Sequence, residues 1–187
     1  DHEWDKYRRI ELQFDDGTVA AFFDPRNFGT FRVVSFAESK RKQAELGPDI
    51  LTPKELWASI ALPDFIKRVR RFGKNMELAE TLLDQRIVSG CGNYIRADAM
   101  YLARFSPHRV VAAMRDGELK KIWVAMHTIA AHSFLDKEPP TEFGKEPNDG
   151  TFINICYGRE MTPTGGKVES FSDSNGRTVW YSPEEQT

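Results

Sequence analysis

Leu83-Asp84-Gln85-Arg86-Ile87-Val88-Ser89-Gly90-Cys91-Gly92-Asn93-Tyr94-Ile95 is the stretch that decides how this chain folds. Glycines on both sides of Cys91 let the backbone turn tightly. Asn93 stands where the next helix starts. The first N–H groups of a helix lack intrahelical acceptors and carry partial positive charge, so a helix opened this way suits a phosphate. A Gly-x-Gly turn that only joins two packed helices is the plainer alternative.

Helical spacing runs outward on both sides. Upstream, Leu78, Ala79, Leu82 and Leu83 share a face, with Asn75 placed to cap the helix. Further back, Thr52-Pro53-Lys54-Glu55 has the form of a capping box with proline at the first helical position. Downstream, Ile95, Ala99 and Leu102 mark a helix over about 94–105. Leu119, Ile122, Trp123, Met126 and Ile129 mark the longest, over about 118–134. These stripes are core in this reading, and His127 and His132 are structural or exposed. The segment 67–74, Lys-Arg-Val-Arg-Arg-Phe-Gly-Lys, is either a solvated basic face or a surface that meets phosphates.

Both ends read as β. Ile10, Leu12 and Phe14 alternate with polar residues, Asp15-Asp16-Gly17 makes a turn, and 18–23 returns. Two strands cannot stand alone in water, so they are expected to be the edge of a larger β domain whose earlier strands precede this sequence. The polar stretch 35–53, with Gly47-Pro48, reads as a linker. After Pro139-Pro140 the chain is loop-like. Its tail, 168–172 and 178–181 around Ser174-Asn175-Gly176-Arg177, carries the Asn-Gly hairpin signal.

The bulk properties bound these readings. At 187 residues there is room for one medium domain or two small ones, and 40% hydrophobic residues suffice for a core. With 29% charged residues the expectation is a soluble protein, and no run approaches the roughly 18 apolar residues of a membrane span. Asp1-His2-Glu3-Trp4-Asp5 does not read as a signal peptide. Cys91 and Cys156 cannot build a disulfide framework and suit free thiols in a reduced, intracellular compartment. A formal charge of -2 argues mildly against nucleic acid, but local clusters decide that question.

The string at 83–95 closely resembles the helix–two-turns–helix motif of the Fpg/Nei family, formamidopyrimidine-DNA glycosylases and endonuclease VIII. The likeness continues through Arg96-Ala97-Asp98 and Ser106-Pro107-His108-Arg109. Asp98 departs from it, since many members carry glutamate there. Asp24-Pro25-Arg26-Asn27-Phe28-Gly29 resembles the family's loop in which arginine and phenylalanine enter the duplex beside an extruded nucleotide. Read without the family, such an aromatic could as well plug its own core. Tyr157-Gly158-Arg159 leads into the family's finger, usually a four-cysteine zinc site. Here the ligand positions fall on Thr164, Lys167, Ser182 and Glu185, a set that cannot hold tetrahedral zinc. The tail is closest to the zincless-finger branch, with Phe171 and Trp180 expected to pack across the hairpin.

The resemblance implies an α+β protein. Residues 1–34 would be the C-terminal part of a β-sandwich catalytic domain and 35–53 a linker. Residues 54–140 would form the helix–two-turns–helix DNA-binding domain, and 141–187 a zincless-finger β-hairpin. DNA would lie in the cleft between domains, and the 135–152 loop would touch the flipped base. The implied activity is a bifunctional DNA glycosylase and abasic-site lyase of base excision repair. It would act as a monomer on damaged double-stranded or single-stranded DNA, with no cofactor, metal or membrane. Arg26, Phe28, Asn93 and Arg177 are the implied DNA-binding residues. The family's catalytic proline, glutamate and lysine are expected upstream of Asp1, so no catalytic residue is assigned in this chain, which by itself is expected to be inactive. The alternative is a catalytically inactive DNA-binding paralogue.

Overall fold

The computed structural model describes residues 4–147 and 149–187; Asp1-His2-Glu3, at the expected break with the family's catalytic start, lies outside them. The chain divides into two units, residues 1–40 and 41–187.

In the first unit, strands β1 (Arg8–Gln13) and β2 (Val19–Phe23) pair antiparallel, with Gln13 opposite Val19. The turn forms where the sequence puts it. Gly17 takes a left-handed φ of 83°, and the Thr18 N–H donates to Asp16 Oδ1 at 2.8 Å. No residue of either strand is buried within the unit. The expected linker is helical over α1 (Phe36–Glu45), in which the division between units falls. This helix has no buried residue and therefore no apolar stripe to announce it. Short-range pairs support it instead: Arg41 and Lys42 each reach Glu45, and the Lys40 ammonium lies 5.5 Å from the Phe36 ring.

The second unit is helical. Its entry corrects the expected capping box. The Thr52 hydroxyl turns back to donate to the Asp49 carbonyl at 2.7 Å, and the Thr52 carbonyl accepts from the Trp57 indole at 2.9 Å. Residues 54–56 then form a 3-10 turn and 57–61 a π turn, and regular helix begins only at α2 (Leu62–Phe72), with Pro63 in its first turn. Next, α3 (Leu78–Thr81) is one turn long and follows Glu77; Asn75 does not cap it.

Helix α4 (Asn93–Ala103) is buried all round from Ile95 to Ala103, not on one face. Alanines at 97, 99 and 103 let neighbours approach, and the charged residues Arg96 and Asp98 have buried partners. Helix α5 (Asp116–Phe134) packs against α4 and buries Leu119, Ile122, Trp123, Met126 and Ile129, the stripe read from the sequence. Burying each such side chain is worth about 1.5–3 kcal/mol. His127 and His132 bond backbone carbonyls, those of Ile50 and Glu138, at 2.7 and 2.8 Å.

The tail forms the hairpin β3 (Glu169–Ser172) and β4 (Thr178–Tyr181). Only Gly176, not Asn175, has a positive φ, so Asn-Gly closes a three-residue loop, Ser174 to Gly176, rather than a two-residue turn. Phe171 pairs with Val179 and Trp180 with Ser170, which puts the two aromatic side chains on opposite faces. The expected Phe171–Trp180 packing is therefore replaced. Phe171 stacks on His108 at 4.5 Å, and Trp180 meets Tyr157 edge-on at 6.1 Å. Cys91 and Cys156 are free and buried, and burial pushes both thiols up to about 12.

Candidate nucleic-acid interface

The double turn at 83–93 is closed by one side chain. Gln85 Oε1 accepts the Gly90 N–H at 3.1 Å, and Gln85 Nε2 donates to the Cys91 carbonyl at 3.1 Å. Gly90, with φ at 87°, needs to be glycine for backbone reasons. Gly92 does not. Its φ is -102°, and a Cβ there would meet no atom within 4 Å. It immediately precedes α4, whose start no side chain caps. The open face of this helix N-terminus thus offers unpaired N–H groups with space in front of them.

Asn93 and Arg177 come together here. Asn93 Nδ2 donates to the Thr178 carbonyl at 2.9 Å while its Oδ1 is buried without a partner, so this side chain ties α4 to β4. What the start of α4 turns outward is backbone. Arg177 is exposed, and among the described residues its guanidinium makes no ion pair. Both residues line one open cavity of about 580 Å³ with Gly92, Asn175, Arg86, Glu80 and Asp84. Asp84 is neutralised by a forked bond to Arg86, which holds its carboxyl below the usual range.

Arg26 and Phe28 sit in the first unit, on the loop after β2. Asp24 shapes that loop by accepting the Gly29 N–H at 2.5 Å, and Asn27 adopts a φ of 54°. A side chain at Gly29 would strike the Phe22 ring at 2.7 Å, so the loop is tight as well as exposed. Phe28 is 76% exposed, which removes the reading of a plug for its own unit, and the Arg26 guanidinium lies 5.7 Å from its ring.

At the aligned finger positions, Glu185 organises a hydrogen-bonded knot. It accepts from Thr162 at 2.6 Å, from Thr164, and from Arg104 at 2.9 Å, while Tyr101 bonds Thr164 at 2.8 Å. Burial works to raise the Glu185 carboxyl, but the two hydroxyls and the guanidinium outweigh it and hold it below the usual range. Lys167 lies 3.5 Å from Glu169, and the Ser182 hydroxyl is buried without a partner. Two hydroxyls, an ammonium and one engaged carboxylate do not fit a tetrahedral zinc site.

Several residues that the sequence left without a role, or named only as part of a string, are given one here. Asp98 accepts three backbone N–H groups, those of Ile155, Cys156 and Tyr157, at 2.8–3.0 Å, which fixes the loop leading to the finger. Burial pushes its carboxyl up to about 6 against the pull of those bonds. Arg96 reaches Asp173 in the finger loop at 2.8 Å. In the basic segment, Arg68 is bound to Asp64 and the Arg86 carbonyl, and Arg70 to Asp116 and the Val111 and Met114 carbonyls. Lys67, Arg71 and Lys74 are exposed and, among the described residues, make no such bonds. The one available signal was a charged pair, Arg96 and Asp98, inside an apolar helix.

Residues 47–138 match the formamidopyrimidine-DNA glycosylase H2TH domain family. The chain is 28% identical to a formamidopyrimidine-DNA glycosylase of Arabidopsis thaliana over 98% of its own length and 45% of that protein. It is 33% identical to one from Listeria innocua over 66% of its length and 44% of that protein. The chain thus spans about half the length of these relatives. Its fold is similar to that of the MutM (Fpg) protein of Thermus thermophilus, with a TM-score of 0.72, 26% identity, and coverage of 96% of this chain and 68% of that one. A Lactococcus lactis Fpg mutant solved with Fapy-dG-containing DNA shares the fold at a TM-score of 0.73 and 19% identity, over 100% of this chain and 69% of that one.

Proposed function

An H2TH domain of the Fpg/MutM family at residues 47–138 is the premise from which we propose that the whole protein is a DNA glycosylase and abasic-site lyase of base excision repair, acting on oxidised bases, and that the residues here hold the damaged duplex. The carrying observation is the start of α4. Gly92 has no internal reason to be glycine, the N–H groups behind it are uncapped, and Arg177 stands free in the same cavity. Two phosphates of one strand fit this arrangement, one at the helix N-terminus and one at the guanidinium.

Arg26 and Phe28 serve the opened site. Extruding a nucleotide costs a few kcal/mol of stacking and pairing. An exposed aromatic restores stacking, and a guanidinium beside it hydrogen-bonds the orphaned partner base. The exposed β1–β2 ribbon is the edge of a larger β domain in this reading, and the finger folds without metal on the Glu185 knot. In the chemistry assigned to the whole protein, an amine attacks C1′ of the deoxyribose as the base departs with a proton. The C1′–O4′ bond then opens with a proton to O4′, and the iminium ion so formed permits loss of a C2′ proton with elimination of the 3′ phosphate. That amine is assigned to no residue of this chain. The partner is damaged duplex DNA, bound by one copy of the protein.

Fluorescence anisotropy with duplexes carrying an abasic-site analogue tests the binding. The chain is expected to bind with a salt dependence that Arg177→Ala flattens by about one charge. Equal slopes for the two proteins overturn the phosphate assignment. Borohydride trapping with the whole protein tests the chemistry: a covalent adduct with oxidised-base duplex is expected. If DNA is bound but no adduct forms with any of several oxidised bases or an abasic site, the inactive-paralogue reading stands instead.

A further inference from the structure

We propose that Arg96 is a positioning residue that, through Asp173, fixes the finger loop so that Arg177 meets its phosphate; the inference rests on the DNA reading above. Arg96 lies one turn into α4 and is 0% exposed. Its guanidinium spans three segments, donating to the Ala79 carbonyl at 3.0 Å, to Asp173 Oδ2 at 2.8 Å and to the Thr178 carbonyl at 3.3 Å. Asp173 uses its other oxygen on the loop itself, accepting the N–H groups of Asn175 at 3.0 Å and Arg177 at 2.8 Å. One carboxylate therefore links a core helix to the backbone of the residue that carries the free guanidinium. Ser174 adds a further bond to Glu80.

Stability is a weak reason for such a pair. Two charges taken out of water lose hydration that their attraction only partly restores, and a well-packed apolar pair often does as well. The Arg96 Nε is moreover buried without an acceptor, a cost a purely structural tie would avoid. What the ion pair supplies and an apolar pair cannot is direction. A single charged N–H of Arg96 fixes Asp173 Oδ2, and Asp173 Oδ1 fixes where Arg177 leaves the loop. Asn93 reinforces the same point, since its amide bonds the Thr178 carbonyl, the residue after Arg177.

The test is a cycle on the full chain: Arg177→Ala, Arg96→Met with Asp173→Leu, and all three together, each titrated with the abasic-analogue duplex across a salt series. In the parent, Arg177→Ala is expected to flatten the slope by about one. In the apolar-pair background it is expected to change the slope by less than about a third of that, because the guanidinium no longer has a fixed place. An undiminished Arg177 effect in a folded apolar-pair protein overturns the inference and leaves the DNA reading intact. No Arg177 effect even in the parent overturns the phosphate assignment and the inference with it. Should the apolar pair not fold, amide hydrogen exchange on the parent decides. Arg177 and Asn175 N–H exchanging with the slow α4 amides supports the tie, and exchange as fast as at the exposed Gly144 overturns it.

Discussion

Removing the Glu185 carboxylate is expected to loosen the finger more than any other single surface change. In Glu185→Ala, the Thr162 and Thr164 hydroxyls and the Arg104 guanidinium all lose the same acceptor. Hydrogen bonds to a charged group are worth about 1.5–3 kcal/mol each when the donor stays buried. Only Thr162, 5% exposed, is in that position; Arg104 and Glu185 keep 31% and 18% of their side-chain surfaces in water, so their pair is discounted. Arg104 also holds a left-handed φ of 59° at the end of α4, a backbone cost present with or without the pair. A total of about 2–4 kcal/mol follows, or a fall in Tm of roughly 5–15 °C for a unit of this size. Thermal unfolding followed by circular dichroism and tryptophan fluorescence reads it, Trp180 being on the adjoining strand. The carboxyl is held below its ordinary value, so this stabilisation is present above pH 4.5 and is lost as pH falls through the lowered value. Glu185→Gln should remove that acid-side slope and cost about half as much. A Glu185→Ala protein within about 0.5 kcal/mol of the parent refutes the knot as the finger's support.

Zinc removal provides a second check: chelator should leave the Tm unchanged, and stoichiometric zinc in purified protein whose loss unfolds the finger would refute the donor-set argument. Gly92→Ala should melt within about 1 kcal/mol of the parent, since the position has an ordinary φ and open space, yet bind abasic-site DNA more weakly. Gly90→Ala should cost about 1–2 kcal/mol of stability, because φ at 87° excludes a Cβ without strain. Phe28→Ala should leave stability within about 0.5 kcal/mol while lowering the preference for abasic over intact duplex; an unchanged preference removes the wedge assignment.

The helices of the second unit were legible wherever burial follows a 3.6-residue period, as along α5, or where turn chemistry is local, as at Gly90. Helix α1 was not legible, because a helix with no buried residue has no period to read. The false capping box at 52–55 shows the limit of local signals. The Thr52 hydroxyl could accept a backbone N–H ahead of it or donate to a carbonyl behind it, and it donates to Asp49, three residues back. Within the candidate site, Asn93 and Arg177 could be named from the strings around them. That they share a cavity depends on pairing across 85 residues, which no local pattern encodes. The roles of Arg96, Asp98 and Asp173 stayed hidden for the same reason, since a buried charge is explained only by its distant partner.

The two buried cysteines give this protein its own clock. A thiol whose pKa stands near 12 is almost wholly protonated at neutral pH, and only thiolate attacks an alkylating reagent. Neither Cys91 nor Cys156 can therefore be labelled at an appreciable rate from the closed state, and modification waits on an opening of its surroundings. Cys91 sits at the centre of the double turn that Gln85 closes, while Cys156 donates its N–H to Asp98. Their separate labelling rates would report two different openings, that of the turn before α4 and that of the loop entering the finger. A ligand seated on Gly92 should slow the first clock more than the second.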